Sequence, residues 1–113
     1  SFLKPFPLSY QLVEADYPVW DGGGMPTEIA EEITALEDSE GVDYYDFVEL
    51  GCGHKIGGYP NFCQPGTCFG DNFEFQIQIA SDEKANLNIV DCGNIYLAKN
   101  TKTGDWKYYC DFY

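Results

Sequence analysis

The chain predicts a single α+β domain, an antiparallel β-meander carrying one or two helices. Three observations carry that expectation. Phe73, Phe75, Ile77 and Ile79 alternate with Glu74, Gln76 and Gln78, the two-residue period of a strand with one buried and one polar face. Two or three more short strand patterns follow in the last third, separated by turn residues. Upstream, Ile29, Ile33 and Leu36 fall at i, i+4 and i+7 with Ala30 beside them, the stripe of an amphipathic helix. A length of 113 residues, 44% hydrophobic and 17% aromatic, suits one core, is too apolar for disorder, and lacks the unbroken apolar run of a membrane helix. A soluble globular domain is expected.

In order along the chain, Pro5-Phe6-Pro7 is a stiff lead-in, and Leu8 to Glu14 alternates as a strand that Pro18 ends. Gly22-Gly23-Gly24 is a joint, and Pro26 suits the first position of a helix, where a missing N–H costs nothing. That helix runs to Glu37 with Glu28, Glu31, Glu32 and Glu37 outward, and Gly41 is its stop. Its early glutamates favour the helix dipole, whereas Glu37 and Asp38 oppose it. Val42 to Leu50 reads as a short helix, with extended structure as the alternative. The glycines and prolines from Gly51 to Gly70 exclude a long regular element, and Tyr59, Phe62 and Phe69 give this loop a reason to pack down. After the Phe73 strand, Leu87 to Val90 and Asn94 to Ala98 are short strands joined at Asp91-Cys92-Gly93, where Gly93 is free to take a positive φ. The last strand alternates Trp106, Tyr108, Cys110 and Phe112 with Lys107, Tyr109 and Asp111.

The net charge is −13, from 19 acids against six lysines and no arginine. Its distribution is lopsided: twelve acids and no lysine lie between Pro5 and His54, while the C-terminal half is close to neutral. A field of one sign disfavours nucleic acid and anionic membranes and steers a basic partner; a plain solvating surface is the other reading. Cys52, Cys63, Cys68, Cys92 and Cys110 are an odd set without framework spacing, which fits reduced thiols in a cytoplasm better than bridges in a secreted domain. No signal peptide is visible, and Ser1 in place of Met leaves room for an upstream segment.

His54 is the only histidine. A nucleophilic site would need Cys52, Cys63 or Cys68 beside it and Asp91 as orienting group. The plainer alternative has His54 bonding a buried carbonyl or Asp91 and pinning the Gly57-Gly58 turn. Cys52, His54, Cys63 and Cys68 are four soft ligands, the right number for zinc, but no C-x-x-C pair occurs and no metal or other cofactor is expected. Glu31-Glu32 and Glu37-Asp38 lie on a solvated helix surface, unsuited to acid catalysis, whereas Asp82, Asp91 and Asp111 beside strand ends suit ordered roles. Gly57-Gly58 lacks a phosphate-loop continuation.

His54-Lys55-Ile56-Gly57-Gly58-Tyr59 with Gln64 after it, then Ile77-Gln78-Ile79-Ala80-Ser81-Asp82, Asp91 with Gly93, and Tyr108-Tyr109-Cys110-Asp111 occur in an order that resembles the YwqG-like domains. That bacterial family has no known biochemical role. The resemblance spans residues 54–113 and implies an α+β fold with antiparallel sheet and no carried-over catalytic residues. Ala80 stands where relatives have an acid, and Ile89-Val90 where they have Trp-Gly. Relatives are generally longer, so this chain is similar to a shortened or C-terminal version.

Together these readings describe a non-enzymatic, acidic, cytoplasmic interaction domain, immunity-like in the sharpest form. Glu31, Glu32, Glu37 and Asp38 steer a basic protein, and Trp20, Tyr44 or Tyr45 dock it. The alternative is a small enzyme or ligand binder with a site around His54, Gln78 and Asp91, flanked by Lys55, Tyr59 and Gln64.

Overall fold

A proline opens the α-helix and a glycine closes it. Helix α1 spans Thr27–Glu40, with Pro26 before it at φ −59° and Gly41 after it in the left-handed region at φ 68°, its N–H bonded to the Glu37 carbonyl. The computed structural model describes residues 3–20, 24–51, 53–64, 66 and 68–113, so Gly22, Gly23 and Cys52 lie outside the described residues. The expected packing of the helix stripe is not reached: no residue of α1 is buried, and Ile29 and Leu36 keep 49% and 46% of their surface exposed.

The segment Val42 to Leu50 contracts to a single 3₁₀ turn at Tyr44–Asp46. The Asp43 carboxylate accepts the Tyr45 N–H at 2.9 Å and the Asp46 carboxylate accepts the Asp43 N–H at 3.0 Å, a reciprocal cap at the start of the turn, which ends at Phe47. Tyr44 is buried there, its ring 5.4 Å from Trp20 and its hydroxyl donating to the Pro18 carbonyl at 2.8 Å.

Leu8 to Glu14 forms no strand. Its residues make no hydrogen bond among the described residues, and Leu8, Tyr10, Leu12 and Val13 are exposed. Alternation specifies a strand only where an edge is offered to pair with, and the nearest edge here is short.

Four strands make one antiparallel sheet in sequence order: β1 (Lys55–Ile56), β2 (Phe73–Ala80), β3 (Asn94–Asn100) and β4 (Trp106–Asp111). The domain is α+β, as expected. Leu87 to Val90 is not a strand; only an isolated bridge joins Leu87 to Asp82.

The faces of the sheet differ from those the alternation implies. In β2 the register slips between Phe75 and Ile77, leaving Gln76 as the extra residue of a bulge. Because side chains alternate, one extra residue moves everything after it to the opposite face. Phe73 and Phe75 therefore share a face with Gln78 and Ala80, opposite Asn94, Tyr96 and Ala98, and these in turn oppose Asp111, Tyr109 and Lys107. This inner face holds the core: Ala80, Tyr96, Ala98, Gln78 and Asp111 are all buried, and Phe62 packs on it with its ring 4.8 Å from Tyr96 and 6.0 Å from Tyr109. The outer face carries Ile56, Ile77, Ile79, Ile95, Leu97, Tyr108 and Trp106. Ile56, Tyr108 and Trp106 are exposed there.

The Cα radius of gyration is 15.8 Å, against about 13 Å for a compact domain of this length. Helix α1 shares few contacts with the sheet, in keeping with that extended shape.

At the turn before β3, the positive φ expected of Gly93 falls instead on Val90 (59°) and Cys92 (55°). Gly93 is required for space, since a Cβ there would collide with the Asp111 carbonyl oxygen and lie 2.8 Å from Cβ of Phe112. Gly41 has the opposite need: a positive φ with nothing within 4 Å. We expect Gly41→Ala to cost about 1–2 kcal/mol from the left-handed backbone alone. Gly93→Ala should cost about 3 kcal/mol or more, because backbone must move. Urea denaturation of both variants checks the order; equal midpoints would refute it.

Candidate functional site

The loop after β1 is held down by polar groups of the inner face. Gln78 is 1% exposed, and its amide is fully used: Oε1 accepts the Asn61 N–H at 2.7 Å, while Nε2 donates to the Gly53 carbonyl at 2.7 Å and to Asn61 Oδ1 at 2.9 Å. Asp111, 4% exposed, receives the Tyr96 hydroxyl on Oδ1 at 2.5 Å and the Cys63 and Gln64 N–H groups on Oδ2 at 2.8 and 3.1 Å. The Asn61 carbonyl accepts from both Tyr96 and Asn94. Gln64 closes the edge by donating from Nε2 to the Phe112 carbonyl at 3.0 Å. Among the described residues, one buried side-chain polar atom lacks a partner, Nδ2 of Asn61.

Burial first, and then the hydrogen bond to Asp111, push the Tyr96 hydroxyl far above the ordinary tyrosine range, so it stays a donor. Burial and the neighbouring Asp111 likewise push the Cys63 thiol up, away from the thiolate a nucleophile needs. Cys63 faces Asn94, with Nδ2 3.7 Å from its sulfur, and no contact joins it to His54.

A second anchor ties the N-terminal arm to the same loop. Asp16 Oδ2 lies 2.9 Å from Lys55 Nζ in an ion pair whose side chains are only 15% and 12% exposed. The Asp16 carboxylate also accepts the Tyr59 N–H at 2.9 Å and the Gly51 N–H at 3.2 Å, and Lys55 donates to the Tyr59 carbonyl at 2.8 Å. Gly58, at φ 72°, leaves the room this requires: a Cβ there would strike the Asp16 carboxylate. Partial burial alone would raise the Asp16 carboxyl; the Tyr59 N–H, Lys55 and the Gly51 N–H outweigh it and hold the group below the ordinary 3.8.

His54 is exposed and paired with Asp82, not with Asp91. Its Nδ1 accepts the Ala80 N–H at 3.0 Å, which places the ring proton on Nε2, 3.1 Å from Asp82 Oδ2. Asp82 is held below the ordinary carboxylate value mainly by that histidine. Both ring nitrogens are thus engaged at the end of β2. Asp91 is exposed, and its main-chain carbonyl accepts from Tyr113 at 3.3 Å.

Of the residues singled out in the sequence, Lys55, Tyr59, Gln64 and Gln78 meet around the loop as structural ties. His54 and Gln78 also border an open groove of about 750 Å³ between arm residues 8–14 and the β1–β2 side of the sheet. Asp91 does not border it. In the acidic set, Glu31, Glu32 and Asp38 are exposed, whereas half-buried Glu37 accepts the Tyr44 N–H at 2.9 Å. Among the described residues no group of three or more His, Cys, Asp or Glu is placed to hold a metal ion. Asn61, Asn94 and Tyr96 were not singled out by sequence reasoning; the only signal was an asparagine, a tyrosine and an alanine at every second position of β3.

The arrangement is a closed hydrogen-bond lock beneath a glycine-rich loop, with a groove beside it. Comparison of the chain with protein families, with characterised proteins and with solved structures finds no match.

Gln78→Leu is near-isosteric but strands the Asn61 N–H and the Gly53 carbonyl; it should lower stability by about 2–4 kcal/mol. Gln76→Leu, on the bulge with one long bond of 3.5 Å to the Glu74 carbonyl, should change it by less than about 1 kcal/mol. Similar urea midpoints for the two variants would refute the lock. For Asp16, a lowered folded pKa means stability present above pH 3.8 and lost as pH falls through the folded value. Wild type should therefore lose more stability between pH 5 and about 2 than Asp16→Asn does.

Proposed function

We propose that this protein is a non-enzymatic, acidic interaction domain that recognises a basic protein. The proposal includes membership of the YwqG-like family and a cytoplasmic setting. The single observation that carries it is that the N-terminal half exposes many apolar side chains along the same stretch of chain that carries most of the acids. Leu8, Tyr10, Leu12, Ile29, Leu36, Tyr45 and Phe47 are all exposed, and they belong to the same segment that holds twelve acids and no lysine. Apolar exposure on that scale is the mark of a contact surface, and the field of one sign gives encounter its direction.

The occupied state of His54 and the raised Cys63 thiol favour this reading over catalysis. Neither group is free to act as a base or nucleophile without breaking a tie that holds the loop. Steering falls to Glu31, Glu32 and Asp38; Glu37 is committed to the Tyr44 N–H. An immunity-like neutraliser of a basic toxin is one partner class of this kind.

The test is capture from source lysate at physiological salt by wild type and by Glu31→Lys/Glu32→Lys/Asp38→Lys together. A single basic protein retained stoichiometrically by wild type and at least about tenfold less by the triple variant is the expected outcome. Unchanged retention in the triple variant overturns the steering role.

A further inference from the structure

The arm between Lys4 and Asp16 is tied at both ends and loose between them. Lys4 donates its backbone N–H to the Ala85 carbonyl at 2.8 Å, and Asp16 is locked to Lys55, Tyr59 and Gly51. Lys55 lies opposite Gln78, seven residues before Ala85, so Gln78 and Ala85 are at most about 23 Å apart, and the step across to Lys55 with its side-chain pair to Asp16 adds on the order of 10 Å. The twelve steps from Lys4 to Asp16 can reach about 40 Å. The surplus leaves the arm bowed, and the groove lies beneath it.

The groove has the parts of a strand-binding site. Its floor includes Ile56, Ile77 and Ile79 on the outer face, and Leu8, Leu12 and Val13 border it from the arm. Its side is the edge of the sheet, because among the described residues β1 pairs only with β2. Gly57 donates to the Gln76 carbonyl at 2.7 Å, and Lys55 lies opposite Gln78. Since antiparallel bonding alternates, the N–H and C=O of Ile56 point away from β2, toward the open edge. The charges at this site are Glu14, Asp16, Lys55 and His54, with Asp82 beside the last. Lys55 is neutralised by Asp16, and His54 donates to Asp82, leaving Glu14 without an opposite charge among the described residues.

Resting on the interaction reading above, we propose that the partner is an extended basic segment that adds as a strand to the outer edge of β1. Its alternate apolar side chains lie beneath the arm, and its lysines or arginines face Glu14 and the acidic half. Backbone bonds to Ile56 supply register, Ile56, Ile77 and Ile79 supply the apolar floor, and the slack arm closes over the added strand. The net charge of −13 disfavours a second copy of this chain as the occupant.

The probe is a short capped peptide alternating lysine with valine; its counterpart has glutamate at every lysine. Binding is followed by fluorescence anisotropy, and amide exchange of Ile56 by NMR. The lysine peptide should bind and slow exchange at Ile56, and the glutamate peptide should not bind. Ile56→Pro removes the outward N–H at an edge position where proline is tolerated and should weaken binding roughly tenfold. Leu12→Ser, at a residue 93% exposed with no bond to lose, should weaken it several-fold without moving the thermal midpoint. Equal binding by wild type and both variants, with Ile56 exchange unchanged, overturns strand addition and leaves the acidic interaction reading standing. Failure to prefer the lysine peptide over the glutamate peptide overturns both. Loss of self-association rather than peptide binding in Ile56→Pro would make the occupant a second copy and also overturn the proposal.

Discussion

A sheet face that buries Gln78 and Asp111 has to be given hydrogen-bond partners, and the nearest backbone able to supply them is the loop that follows β1. An unmatched amide or carboxylate inside a protein costs more than a matched one contributes. The chain meets this by laying Asn61, Cys63 and Gln64 of that loop over the strands, with Gly53 just before β1, so that their main-chain groups become the partners. Phe62 and Phe69 then pack where the polar bonds have already placed them, their rings 6.2 Å apart. The same two side chains thus decide the path of the loop, the burial of its aromatics and the position of β1 at the edge.

The second tie, between Asp16 and Lys55, has a different character. A nearly buried ion pair contributes little against well-packed apolar residues of similar size, yet loss of one partner leaves the other stranded. Its main effect is therefore on where the arm goes. Asp16 brings the N-terminal half to the glycine turn at Gly58, while α1 gains almost no cover of its own. The molecule is ordered from the sheet outward, and its acidic half is held by a few contacts and left largely exposed.

Period-two patterns located β2, β3 and β4, and the stripe with its flanking Pro26 and Gly41 located α1, because those signals are local and repeat over several residues. Which face turned inward was not legible. The bulge at Gln76 is set by how β2 pairs with β3, and nothing in residues 73–80 alone announces the slip. The alternation in β4 left its inward face open, and the face bearing Asp111 is inside because Tyr96 and the loop backbone satisfy it. At the candidate site, His54, Lys55, Gln64 and Gln78 stood out as a group, and all four are tied into the loop and its strands. Asn61, Asn94 and Tyr96 stayed hidden, since their roles depend on groups contributed from elsewhere in the chain. Leu8 to Glu14 misled for the converse reason: it has the pattern of a strand but no paired edge.

The strand order β1–β2–β3–β4 matches the order of synthesis, so sheet pairing joins chain neighbours. The bonds from Cys63 and Gln64 to Asp111 span 48 and 47 positions, whereas Asn100 and Asp105 meet across a short hairpin. Each doubling of a closed loop adds about 0.6 kcal/mol of entropy cost, which puts the long closures near 2 kcal/mol above the hairpin. That gradient favours pairing of hairpins β2–β3 and β3–β4 ahead of docking of the glycine-rich loop on them. In the native state the sequence runs backward, so that undocking of the loop is an opening of lower free energy than loss of the meander itself.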